Sequence, residues 1–182
     1  MARAAQIQTV SLHEDIVTSG RLTVDRDKGV LRGVKILGLT SANGRTYTSQ
    51  AIRNAARMYE GLHVNKNHPA KQGQTRDADD RLGWLEGVRV EADGLYGDLH
   101  YLTSHPFAAR LVEAAERRPN AFGLSHNAQG EIKTRNGKVQ VESISSVKSV
   151  DLVAAVTKAY NEKVNLLGEF TLEELHVAFD AV

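Results

Sequence analysis

The sequence predicts an α+β domain built on a β-barrel or a tightly curved sheet, and three features carry that prediction. Short alternating apolar runs recur along most of the chain, helical periodicity is confined to about three stretches, and glycines interrupt one strand-like run where a barrel has to bend. With 182 residues the chain can bury one core, so a single domain over 1–160 with a C-terminal helical segment over 161–182 is expected.

Strands are read first at Ile7 to Leu12, Arg21 to Val24 and Gly29 to Leu39, the last with Gly33 and Gly38 between its apolar residues. Thr48 or Ser49 can cap a helix to about Tyr59, because Ile52, Ala55, Ala56 and Tyr59 share helical spacing. Residues 70–81 have no apolar periodicity and read as an exposed loop, the kind of segment that carries function. Leu82 to Val90 and Leu95 to Leu102, joined at Ala92-Asp-Gly94, read as a hairpin.

A second helix is expected from Pro106 to Arg117, capped by Thr103 or Ser104, with Phe107, Leu111, Val112 and Ala115 as its buried stripe. Strands follow at Glu131 to Thr134, Lys138 to Ile144 and Val147 to Ala155, with a turn at Asn136-Gly137. The last helix spans Leu166 to Ala181, where Thr171 and Glu174 form a capping box.

Composition narrows the chemistry. There is no cysteine, which excludes disulfides, thiolate metal sites and a cysteine nucleophile. A net charge of +1 offers no phosphate-neutralising surface, so nucleic acid is not an expected partner. No run approaches the roughly 18 apolar residues of a membrane span. The amino terminus also lacks a signal-peptide core, so no membrane partner and a cytoplasmic location are expected.

Nucleophilic catalysis without cysteine needs an oxygen nucleophile, an imidazole within reach of it and a group that orients the imidazole. Ser125, in Gly123-Leu-Ser-His-Asn127, suits a strand-end turn that exposes Oγ to a cleft; the bland alternative is a surface serine in a polar loop. His68 lies between Asn67 and Pro69, and a residue before proline is held extended, which fixes the direction of the ring. His13, His63, His100, His105, His126 and His176 compete for the role of base. A metal site on His63 and His68 with Asp77, Asp79 and Asp80 is the rival chemistry, although no His-Glu-x-x-His motif is present. No phosphate loop or dinucleotide fingerprint occurs, and no cofactor is implied.

In order, Asn43-Gly-Arg-Thr-Tyr47, Asn67-His-Pro69, Arg81-Leu-Gly-Trp-Leu85, Gly94-Leu-Tyr-Gly-Asp-Leu99, Gly123-Leu-Ser-His-Asn-Ala128 and Ser149-Val-Asp-Leu-Val153 resemble the prohead proteases of tailed phages, relatives of the herpesvirus assemblins. The likeness runs from about residue 30 to residue 158. It implies a small closed or nearly closed β-barrel flanked by helices, and a serine endopeptidase that cleaves scaffold and major capsid proteins, and itself, inside the prohead in the host cytoplasm. By the same resemblance His68 is the general base and Ser125 the nucleophile. The third member is Asp151, with Glu142 as its rival; strand alternation sets Ser149, Asp151 and Val153 on one face and Val150 and Leu152 on the other. Candidate oxyanion donors are the turn around His126 to Gly130 and the Ala154 to Lys158 segment. The herpesvirus relatives work as dimers, so the resemblance leaves room for a homo-oligomer. Two other readings stay open: a catalytically silent capsid-assembly or scaffold protein of the same fold, and a metal-dependent nuclease or hydrolase built on the His63/His68 loop.

Overall fold

The structure, a computed structural model, describes residues 7–17, 22–41, 44–69, 75–135 and 137–154. Its elements in chain order are β1 (Ile7–Val17), β2 (Thr23–Asp25), β3 (Val30–Gly38), β4 (Thr46–Tyr47), α1 (Ser49–Ala55), β5 (His63–Lys66), β6 (Arg81–Glu91), β7 (Gly94–Tyr101), α2 (Ala108–Arg117), β8 (Phe122–Arg135) and β9 (Lys138–Ala154). The expected boundary at residue 160 and the expected helix from Leu166 to Ala181 lie outside the described residues.

All the strands join one mixed sheet in the order β1-β8-β9-β5-β6-β7-β3-β2, with β4 pairing β9 off that path. The long β8–β9 and β6–β7 hairpins are antiparallel, whereas β4 and β5 run parallel to β9. The path is open: of the two expected forms, a barrel or a tightly curved sheet, the strands make a curled sheet whose hydrogen-bonded ladder does not close among the described residues. Curling still brings β3 into packing contact with β8 and β1, which lie far from it along the path. Part of the bend is made at Gly33, where φ is +75° and the register with β7 shifts; its N–H donates to Asp98 Oδ1 at 3.0 Å.

The interior is lined by apolar residues of these strands, including Leu12, Ile36, Leu37, Val64, Leu82, Leu85, Leu95, Leu99, Leu124, Val141 and Val150. Helix α1 forms as its spacing predicts: Ala51 N–H donates to Thr48 Oγ1 at 3.0 Å, and Ala51, Ile52 and Ala55 are buried. Helix α2 buries Ala108, Leu111, Val112 and Ala115 as expected but begins later than Pro106. Neither Thr103 nor Ser104 caps it, because the chain turns first and Phe107 N–H donates to the His105 ring instead.

Two further expectations change. Phe122 to Arg135 is one continuous strand rather than a turn followed by a short strand, and Lys138 to Ala154 is one strand rather than two. Register shifts at Asn127/Ala128, Gln129/Gly130 and Glu131/Ile132 let the paired strands run on with their apolar faces inward. Bulges of this kind break strict alternation, which is why the sequence reads as interrupted.

Candidate active site

Three polar side chains occupy one rung of neighbouring strands. Ser125 of β8 is the partner of Asp151 of β9, and Asp151 is the partner of Asn65 of β5. Directly paired residues present their side chains on the same face, so the hydroxyl, carboxylate and amide lie side by side. All three residues are buried, Ser125 and Asp151 completely. The adjacent rung, His126, Val150 and Val64, is also fully buried and faces the opposite way.

His68 arrives at this rung through a local backbone device. Asn67 N–H donates to Leu152 O at 2.8 Å, extending the β5–β9 pairing past the end of β5. Asn67 then adopts φ +60°, a left-handed conformation that asparagine tolerates better than most residues, and the chain bends. His68 thereby sets Nδ1 at 2.8 Å from Asp151 Oδ2. Glu142, the rival acid, is far back along β9 beside Val141 and Ser143.

The carboxylate has two more partners. Asn65 Nδ2 donates to Asp151 Oδ1 at 3.3 Å, and Arg81 Nε donates to Asn65 Oδ1 at 3.0 Å, so the amide passes its orientation on to the acid. Arg76 Nη2 forms an ion pair with Asp151 Oδ1, while its Nη1 donates to Asn67 O at 2.6 Å. A fully buried carboxylate costs several kcal/mol unless it is compensated, and here the compensation is a guanidinium, an amide and an imidazole.

Ser125 differs from the expected exposed turn serine. It sits inside β8 with Asp15 of β1 opposite it on one side and Asp151 on the other, and its Oγ has no hydrogen-bond partner among the described residues. The residues His126 to Gly130 likewise belong to β8 rather than to a turn, flanked by the β1 and β9 ladders, so the expected oxyanion turn is not there. The Ala154 to Lys158 alternative extends outside the described residues.

The competing histidines separate by position. His126 is buried on the opposite face, its Nε2 3.1 Å from the Tyr47 hydroxyl and its Nδ1 2.7 Å from the Tyr59 hydroxyl. Burial pushes the Tyr59 phenol far above its ordinary pKa, so this contact is made by a neutral hydroxyl. His100 stacks on Trp84 and approaches Glu86 at 3.3 Å, and His105 contacts Asp79 O at 3.0 Å. His63 is exposed, the His13 side chain is not among those described, and His176 lies outside the described residues. Of the aspartates in the rival metal reading, Asp77 caps its own turn by accepting from Asp79 N–H at 3.1 Å. No group of three or more His, Asp or Glu side chains is arranged to hold a metal ion among the described residues.

Sequence reasoning missed Asn65, Arg76 and the Tyr47–His126–Tyr59 contact. Asn65 carried one readable signal, a polar residue at an inward position of a short strand. Arg76 carried none beyond the general need of a buried acid for a cation.

No protein-family model matches the chain, and no curated protein sequence matches it. Its fold is similar to that of the capsid assembly protease of bacteriophage T4, with a TM-score of 0.59 and 16% identity over 82% of this chain and 99% of that one. At that identity the likeness is one of fold.

Proposed function

We propose that this chain is a serine endopeptidase of phage capsid maturation, with Ser125 as nucleophile, His68 as general base and Asp151 as the acid that orients it. The observation that carries the reading is the His68 Nδ1–Asp151 Oδ2 contact at 2.8 Å, made on the rung that Asp151 shares with Ser125. An acid bound to Nδ1 fixes the tautomer and direction of the imidazole, so Nε2 is the nitrogen assigned to take the Ser125 proton. The fold shared with a phage capsid assembly protease supports the biological setting.

In the proposed reaction Ser125 Oγ attacks the scissile carbonyl as its proton passes to His68. The C–N bond then breaks as His68 returns the proton to the leaving amine, and water releases the acyl group by the reverse use of the same base. The substrates are scaffold and major capsid proteins and the chain itself, inside the assembling prohead in the host cytoplasm. The chemistry needs no cofactor.

Complete burial of Ser125 means that a peptide reaches it only after its cover moves. The same burial favours the second reading, a catalytically silent capsid-assembly protein of this fold. A fluorophosphonate probe read by intact mass and peptide mapping tests the choice. The protease reading expects one adduct on Ser125, lost in Ser125→Ala and at least ~100-fold slower in His68→Ala; a folded parent that gains no adduct favours the silent protein.

A further inference from the structure

We infer that Arg76 is a positioning residue that shares the Asp151 carboxylate with His68 and ties the base to the acid. The inference rests on the protease reading for its meaning, and on contacts independent of that reading for its geometry.

Asp151 is completely buried, and His68 carries a charge only when protonated. A neutral His68, the form that can act as base, therefore leaves the carboxylate in need of a permanent cation. Arg76 is one: its Nη2 meets Asp151 Oδ1 while His68 holds Oδ2, so each oxygen has its own positively polarised partner. Through Nη1 the same guanidinium binds the carbonyl of Asn67 at 2.6 Å. Asn67 is the left-handed residue that turns the chain into His68. One side chain thus spans from the acid to the backbone that aims the base.

Among the described residues, the charged groups joined to His68 directly or through Asn65 are Asp151 from β9, Arg76 from the segment before β6, and Arg81 at the start of β6, which is held one residue away behind Asn65. A cation on the shared carboxylate weakens its pull on the His68 proton, so removing that cation makes His68 harder to deprotonate. Arg76 in this account keeps the base available as well as in place.

The test is the titration of the His68 imidazole followed by NMR in the full-length protein, assigned by its loss in His68→Gln. Arg76→Met is expected to raise the His68 midpoint by about one pH unit, tenfold in proton affinity, and Arg76→Lys by much less. In an Asp151→Asn background Arg76→Met is expected to change little, since Arg76 acts through the acid. That double variant removes both buried charges and so remains informative if Arg76→Met alone does not fold. A His68 midpoint that stays put or falls in Arg76→Met, or an equal rise with Asp151 already neutral, overturns the role of Arg76. Fluorophosphonate labelling of the same samples separates the two claims. A shifted midpoint with no Ser125 adduct in the parent removes the serine reading and keeps the charge relation, whereas an adduct with an unmoved midpoint removes Arg76 alone.

Discussion

Ser125 and Asp151 face each other directly across the β8–β9 ladder, and both are completely buried. The pairing links the proposed nucleophile and the proposed acid through two hydrogen-bonded strands instead of through loops. Their separation is therefore set by the sheet, and only His68, reached through the turn at Asn67, depends on irregular backbone.

Asp151→Asn should separate catalysis from folding. Losing the carboxylate removes the group that orients His68 and is expected to lower kcat by about 10³-fold or more. The Arg76 ion pair is lost as well, at a cost on the order of 3 kcal/mol. Denaturant melts alongside activity measure both; an unchanged kcat with a normal melt contradicts the role given to Asp151.

Tyr59→Phe is expected to destabilise the fold by about 1–3 kcal/mol, since it leaves a buried His126 nitrogen without its 2.7 Å hydroxyl partner. The pH dependence has a definite sign. Burial raises the Tyr59 pKa in the folded state, so its contribution is complete below the unfolded value near 10. It is lost as pH rises beyond that value, at up to about 1.4 kcal/mol per pH unit. Stability measured from pH 8 to 11 should fall less steeply in Tyr59→Phe than in the parent; identical slopes contradict this.

Gly83→Ala should be among the most damaging single-methyl changes in the sheet. A Cβ at Gly83 would overlap the backbone carbonyl of His100 on the neighbouring strand, an atom that cannot swing away. A loss of about 2 kcal/mol or more is expected by thermal or chemical melting. Gly137→Ala is the contrasting control: no atom crowds that position, and only its φ of +73° opposes a side chain.

The sequence was most readable where one physical signal acted alone. Thr48 and the spacing of Ile52 and Ala55 marked α1, and two alternating runs about the Ala92-Asp-Gly94 turn marked the β6–β7 hairpin. Alternation also set Val150 and Leu152 opposite Ser149, Asp151 and Val153, but burial does not separate the two faces, since Val150, Asp151 and Leu152 are all buried. Local signals failed where bulges shift the register, so β8 and β9 read as fragments and Ser125 as a turn residue. Sheet closure and the Arg76 contact depend on residues distant in sequence, and no local pattern encodes them. His126 shows the limit most plainly, since only the fold reveals that it faces Tyr47 and Tyr59 and not the rung of its neighbour Ser125.

The most direct measurement is incubation of the purified protein with the proposed substrates, phage scaffold and coat proteins, beside Ser125→Ala and His68→Ala, with fragments read by intact mass. Discrete fragments are expected with the parent and none with either variant. Fragments that persist in both variants would contradict Ser125 and His68 as the catalytic pair.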